Sequence, residues 1–495
     1  MVIMDNDLKS IQQAREFSRK ARAAYEEYST FPQNKVDKIV EAMAGAGIKA
    51  SQRLAKLAVE ETGYGILDDK IAKNLFAVKN VFNSIKDLKT VGVISRDDDR
   101  KIIEIAHPMG VVAAITPTTN PTSTVMFKSL ICAKSRNAVI FMPHPRAVEC
   151  SREAALVMKE AAENAGAPKD LILCMDTVTL EGSKELMADN NIAIILATGG
   201  LGMVKAAHSF GKPAIGVGPG NVPVYIDRSA DFEKAAKDII ASKSFDNGVI
   251  CSSEQAIIVH SGIEDSFNKA LKKAGGYFLS PEEAKKVGNV LVKGNSMDPE
   301  MVGKSPKFIG DAAGVAIPDK ARLLIAPTDG VGPDHPLSRE ILSPIVAYYT
   351  CKDWLDGCNI CVEILNFGGL GHTLVIHSRD PEIITSFAHE KPVFRILVNT
   401  TSSQGAIGLS TSLTPSMTLS TGSWGGGIHS DNISAQHLLN IKRVAYETDP
   451  INEPAPDVID LGIDDSNRNN SPEVMRDQVE QIVRRVINKL DLNDL

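Results

Sequence analysis

The sequence is poor in the features that mark several broad protein classes. Seven cysteines are scattered through 495 residues, an odd and sparse set that gives no disulfide scaffold and fits a reducing compartment. Apolar runs are short: Ile192 to Ala197 is an example, far below the roughly 20 residues that span a bilayer. No block of lysine and arginine occurs, and 61 acidic against 54 basic residues leave a formal net charge of -7. Non-specific nucleic-acid binding is therefore not expected. The first ten residues, MVIMDNDLKS, lack a basic region followed by an apolar stretch, which predicts no secretory signal. Metal-ligand spacing is missing as well, because Cys358 and Cys361 form C-x-x-C without a second pair. What remains is ordinary globular composition, 43% hydrophobic and 23% charged, in a chain long enough for two or three domains. These absences predict a soluble cytoplasmic protein with no nucleic-acid or membrane partner and no bound metal.

The first ninety residues read as helices. Ile39, Met43, Ile48, Leu54, Leu57 and Val59 recur loosely at helical period with charges between them. The glycines of EETGYG (Glu60 to Gly65) predict a helix end, and a second amphipathic stretch runs from Asp69 to Asp87. From about residue 101 the pattern changes. KIIEIAHPMGVVAAITPTTNP, NAVIFMPHP, DLILCM, NIAIILATGG and NVPVYID are short β-branched runs, most of them ending in Gly, Pro or Thr. Helical stretches such as Ala147 to Gly166 and Thr179 to Asp189 lie between them. A second series begins near Ser252 with QAIIVH and continues through ARLLIAP, IVAYYTC, TLVIHS and RILVNT. This alternation predicts an open α/β sheet, in two lobes with a boundary near residue 222. Residues 448–472 hold four prolines, six acidic residues and one arginine, which is linker composition. Beyond them, Met475, Val479, Ile482, Val483, Val486 and Leu490 share one helix face, with Ser471 and Pro472 suited to its start.

Three segments carry candidate chemistry. FDNGVICSSEQ places Cys251 in a Gly-containing loop between a predicted helix (Phe232 to Ser244) and a predicted strand (Gln255 to His260). A loop thiol suits nucleophilic chemistry, whereas most cysteines are small buried hydrophobes, and loop position alone leaves both open. TPTTNPT (Thr116 to Thr122) holds Asn120 among turn formers. Such an amide ordinarily bonds its own backbone; its other use is donation to a developing oxyanion. ATGGLGMVKAA (Ala197 to Ala207) sets glycines between a strand and a helix, where a phosphate can rest on the helix N-terminus. GVGPGNVP (Gly216 to Pro223) marks a second tight turn.

Taken in order, AITPTTNPTST, FMPHPRA, LATGGLGMVKAA, AIGVGPGNVPV, SFDNGVICSSEQ, GGLGHT and STGSWGGGIHSDNISAQHLLNIKRVA resemble the aldehyde dehydrogenase superfamily. Within it the chain is most similar to the CoA-acylating branch, over roughly residues 10–446. The resemblance implies an α/β, two-lobed fold. A Rossmann-like cofactor lobe would occupy 1–222 with a bridging arm near 91–106, a catalytic lobe 223–424, and an oligomerisation arm 425–447 making dimers or tetramers. Residues 448–472 would then be a flexible linker. Residues 473–495 look like the encapsulation peptides of bacterial microcompartments, which implies shell or core proteins as partners and the compartment lumen as the location.

Carried over residue by residue, Cys251 looks like the nucleophile, with Asn120 and the Cys251 backbone N–H as the oxyanion hole. Thr116, Pro117, Thr118, His144, Thr198, Gly199, Gly200, Val217, Gly218, Glu340 and Leu342 fall at cofactor-binding positions. Gly199 and Gly200 correspond to the pyrophosphate contact, and Glu340 to the glutamate that holds the nicotinamide ribose. The implied cofactor is NAD, with NADP open, and coenzyme A is the implied co-substrate. The departures also carry meaning. Hydrolytic members have a glutamate 34 residues before the cysteine, where this chain has Val217. Without it the acyl-enzyme lacks a base to activate water, whereas a thiol near neutral pH is already a few per cent thiolate. Leu342 and Ser343 replace the Phe and Gly of the E-x-F-G-P pattern, and MPHP stands where a ribose-binding lysine would follow the NAVIF strand. The expected reaction is oxidation of acetaldehyde or propionaldehyde to acyl-CoA. A substituted aldehyde (sulfoacetaldehyde, succinate semialdehyde), a hydrolytic dehydrogenase and a non-catalytic assembly protein are the competing readings. His372 in GGLGHT stays outside the core set, because a lone histidine beside glycines is ordinarily structural.

Overall fold

Gln33–Thr62, the longest of the N-terminal helices, shows how sequence sets both a face and an end. Val36, Ile39, Met43, Leu54 and Ala58 are buried along one side, and Gly63 stops the helix at φ 68°, its N–H returning to the Val59 carbonyl. The computed structural model, which describes residues 5–449 and 479–484, adds the helices Asn6–Tyr28 and Leu67–Leu75. The stretch expected as one amphipathic helix from Asp69 to Asp87 passes through a wider π-type turn at Phe76–Asn80 before Val81–Ile85.

The apolar run that starts at residue 101 is two strands. Ile102–Pro108 is separated from β1 (Val111–Thr116) at Gly110, whose φ of 141° a side chain would resist. The next runs become β2 (Ala138–Pro143), β3 (Ile172–Cys174), β4 (Ile192–Thr198) and β5 (Ala214–Val217). They form a five-stranded sheet in the order β3-β2-β1-β4-β5, parallel throughout. Burial on both faces explains why β1 and β2 read as unbroken apolar stretches rather than alternating ones.

The second series gives β6 (Val222–Ile226), β7 (Glu254–His260), β8 (Gly276–Phe278), β9 (Leu323–Pro327), β10 (Ile345–Cys351), β11 (Gly371–His377) and β12 (Val393–Val398). These also pair in parallel, in the order β8-β9-β10-β7-β6-β11-β12. The chain changes sheets within Gly218–Asn221, between β5 and β6. A mainly apolar core runs through both sheets and the helices on them, with Val112, Ile140, Leu196, Val224 and Ile257 fully buried.

Most of the described chain, 5–95 and 104–443, is one compact unit; Arg96–Ile103 and the described residues from Val444 on form another. In the smaller unit the Tyr446 N–H donates to the Lys101 carbonyl at 3.1 Å. Residues 479–484 are helical. The rest of the segment read as linker and targeting helix, 450–478 and 485–495, lies outside the described residues. Among the described residues no helix is long and apolar enough to cross a membrane.

Candidate active site

In an open parallel sheet the order reverses where neighbouring strands send their connections to opposite sides, and the carboxyl ends there leave a crevice for ligand. Here that point lies between β1 and β4. Thr116 and Thr198 end those strands, Pro143 is in register with Thr116, and Val217 with Thr198. Facing them are segments that lead into the second sheet: Cys251 ahead of β7 and Glu340 ahead of β10. The space between is a cleft of about 1170 Å³. Every residue expected as nucleophile, oxyanion donor or cofactor contact lines it. Thr116, Pro117, Thr118 and Asn120 leave β1, His144 follows β2, Thr198, Gly199 and Gly200 follow β4, and Val217 and Gly218 close β5. Cys251, Glu340 and Leu342 complete the lining from the second sheet.

Asn120 precedes helix Pro121–Lys134, with proline at its first position. Its side chain makes no capping hydrogen bond, so the ordinary use of an Asn at such a turn does not apply. Instead its Oδ1 accepts from Lys73 Nζ at 2.8 Å. The same ammonium donates to Asp246 Oδ2 at 2.5 Å and to the Val249 carbonyl at 2.6 Å. Lys70 Nζ joins it on Asp246 Oδ2 at 2.6 Å and donates to the Thr119 carbonyl at 2.8 Å. Asp246 is fully buried and both lysines are nearly so. Burial pushes Lys73 down to about 8, with the Asp246 carboxylate opposing; all three of its partners are acceptors and one is a carboxylate, which suits an ammonium. Removing one member of such a buried group costs about 3–5 kcal/mol, because the others lose compensation.

The loop that carries Cys251 is tightly bent. Asp246, Asn247 and Gly248 take successive left-handed conformations, φ 51°, 51° and 74°. Asp and Asn tolerate that region better than other residues with a Cβ. The bend is held by the Asp246 N–H, which donates to Asp69 Oδ2 at 2.7 Å, and by the Ile66 N–H on Asp246 Oδ1 at 2.7 Å. Gly220 lies beneath Cys251, where a Cβ would sit 2.1 Å from the Cys251 carbonyl oxygen; only glycine fits. Cys251 itself is partly accessible. Burial of its sulfur and the nearby Glu340 carboxylate push its thiol up to about 12, against the smaller pull of Arg395 and Lys73. The resting group is a thiol.

At the other end of the cleft, a Cβ at Gly199, Gly200 or Gly218 would meet nothing within 4 Å. Gly200 immediately precedes helix Leu201–His208. An open glycine loop on a helix N-terminus fits a pyrophosphate, so these residues suit a dinucleotide. Glu340 Oε1 accepts from the Gly220 N–H at 2.9 Å, and burial raises its carboxyl to about 7. The His144 imidazole is held below its usual value by burial and by Arg146.

Sequence reasoning did not single out Lys70, Lys73, Asp246 or Arg395. Lys70 and Lys73 sit three apart on a short charged helix and read as a solvated face; the aspartate of FDNG was the one available signal. His372 is fully buried on β11, its Nδ1 2.9 Å from Thr373 Oγ1, and does not line the cleft. Cys358 and Cys361 pack into the core beneath β6 and β10. His429, Asp431 and His437 gather their ligand atoms within 4.8 Å. Because the Ser434 N–H donates to His437 Nδ1 at 3.0 Å, that ring's proton sits on Nε2, the atom facing Asp431. The group is a hydrogen-bonded cluster.

Residues 2–304 match the model of the aldehyde dehydrogenase family. The chain is 45% identical over 431 residues to the bifunctional aldehyde-alcohol dehydrogenase of Escherichia coli K12, covering 86% of this chain and 48% of that relative. It thus spans about half the length of such bifunctional relatives. Among solved structures it superimposes on an acetylating aldehyde dehydrogenase from Geobacillus thermoglucosidasius with a TM-score of 0.90 and 48% identity, covering 91% of this chain and all of that one. A propionaldehyde dehydrogenase from the fucose utilisation microcompartment of Clostridium phytofermentans matches with a TM-score of 0.81 and 28% identity, covering 88% and 97%.

Proposed function

The chain belongs to the aldehyde dehydrogenase family, and we propose that it oxidises a short-chain aldehyde to its acyl-CoA through a thioester on Cys251. The observation that carries this reading is the lining around the thiol. Asn120 and Cys251 share the cleft, Val217 stands there without an ionisable group, and Glu340 is the only carboxylate that lines it among the described residues. Glu340 is itself committed to the Gly220 N–H.

Once its thiol has given its proton to solvent, Cys251 Sγ attacks the aldehyde carbon, and the carbonyl π electrons move to oxygen. The Asn120 amide and the Cys251 backbone N–H stabilise that oxyanion. A bound nicotinamide dinucleotide supplies the hydride acceptor. Collapse of the oxyanion with loss of hydride leaves the acyl group on Sγ. The substrate thiol of CoA, its proton released to solvent, then attacks the thioester, and Cys251 leaves as thiolate. Thr198, Gly199, Gly200 and Gly218 would hold the pyrophosphate of a bound dinucleotide, His144 would flank its adenosine end, and Glu340 would accept from its nicotinamide ribose. NAD is the proposed cofactor and NADP the alternative, since no carboxylate on the first sheet's side of the cleft repels a 2′-phosphate.

Ile250, Ile407, Met417 and Leu419 give part of the cleft an apolar wall, which supports acetaldehyde or propionaldehyde over an anionic aldehyde. The two arginines of the lining are engaged elsewhere: Arg146 pairs with Glu300 at 2.9 Å, and Arg339 lies over the Phe367 ring. Exposed Trp424 and Ile428 support a homodimer or tetramer built through the segment after residue 424. The acidic, proline-containing stretch and the one-sided apolar pattern after it support encapsulation in a microcompartment lumen, as does the likeness to the Clostridium phytofermentans enzyme. The test is cofactor reduction with acetaldehyde, with and without CoA. Sustained turnover only with CoA, giving acetyl-CoA, is the expected result. Sustained CoA-free turnover to acetate would favour the hydrolytic reading.

A further inference from the structure

Lys73 touches both parts of the chain that meet at the oxyanion position. Its three ammonium hydrogens are all used, on Asn120 Oδ1, Asp246 Oδ2 and the Val249 carbonyl two residues before Cys251. An ammonium has donors and no acceptor, so only the oxygen of the Asn120 amide can face it. The amide NH2 is thereby turned the other way. One of its hydrogens reaches Thr119 Oγ1 at 3.3 Å, and the other is left for the cleft that Asn120 lines. Without the ammonium, nothing among the described contacts of Asn120 would stop the amide from rotating its oxygen toward the substrate, where it would repel an oxyanion. Lys73 cannot itself reach an aldehyde, because it is almost wholly buried and is not part of the cleft wall.

We infer that Lys73 is a positioning residue for the oxyanion hole: it fixes the orientation of the Asn120 amide so that an N–H points at the reacting carbonyl. Asp246 supports it by accepting from both Lys73 and Lys70 at one buried carboxylate oxygen. The inference rests on the reading of Cys251 as nucleophile and Asn120 as its donor. It predicts that, once the effect of its charge on the Cys251 thiolate is divided out, Lys73 matters to the chemical step through Asn120.

The experiment is a double-mutant cycle in the full-length enzyme with Lys73→Met, Asn120→Ala and both together. The readout is the first-turnover burst of cofactor reduction by acetaldehyde without CoA, which does not depend on the acyl acceptor. Each rate is divided by the rate of Cys251 alkylation by iodoacetamide at the same pH. That correction is needed because the charge of Lys73 also favours the thiolate, and alkylation forms no oxyanion. Lys73→Met is expected to lower the corrected burst about 10²-fold in the wild-type background. In the Asn120→Ala background the loss should be less than about threefold. Equal losses in both backgrounds would overturn the inference, as would an unchanged burst in Lys73→Met. Should Lys73→Met fail to fold, Lys73→Leu, which likewise has no donor for the Asn120 oxygen, enters the same cycle under the same criteria. A wild-type enzyme with no burst would instead contradict the proposed function, so the two failures are distinguishable.

Discussion

Replacing Cys251 by alanine is expected to lower aldehyde turnover by on the order of 10⁴–10⁶-fold, with cofactor binding and the melting temperature close to wild type. The size follows from the type of catalysis. A covalent route that loses its nucleophile keeps only binding and electrostatic stabilisation, and members of such a unit fail together. Binding survives because the glycines that fit a pyrophosphate, Gly199, Gly200 and Gly218, lie in other loops. Stability survives because Cys251 is only partly buried and its sulfur anchors no hydrogen bond that holds the loop. The bend is fixed by Asp246, Asp69 and Lys73 instead. Steady-state kinetics, cofactor titration and thermal melting check the three parts. Turnover near wild type in Cys251→Ala would remove this residue from the mechanism.

Asn120→Ala is expected to lower kcat about 10²–10³-fold with little change in the KM for aldehyde. The amide meets a neutral carbonyl in the ground state and an oxyanion after attack, so its contribution grows along the reaction coordinate. The substitution also strands the Lys73 ammonium with two of its three acceptors. It should therefore destabilise the protein by about 1–3 kcal/mol, readable as a lower denaturant midpoint. A rise in KM with unchanged kcat would mean that Asn120 only binds the substrate.

The sheets were legible because their strands are short β-branched runs punctuated by Pro, Gly and Thr, and parallel strands buried on both faces leave that texture. Gly110 was harder to read: it splits one apolar run into two strands through a conformation, not through a change of polarity. Cys251 and Asn120 stood out as candidates because each lies in a turn-rich loop at the end of a predicted element, but that position left their ordinary structural uses open, and the family resemblance supplied their roles. Their support did not stand out. Lys73 reaches Asp246 across 173 positions of sequence, and local pattern shows only a lysine on a charged helix. Asn120 shows the limit from the other side, since its sequence setting favours a bond to its own backbone and the tertiary lysine takes that role.

The most direct measurement is the mass of the Cys251 peptide after the enzyme meets acetaldehyde and oxidised cofactor without CoA. The expected result is one acetyl group on Cys251, which disappears on addition of CoA as acetyl-CoA is formed in equal amount. An unmodified Cys251 peptide with free acetate in solution, or an acetyl group on another residue, would contradict it.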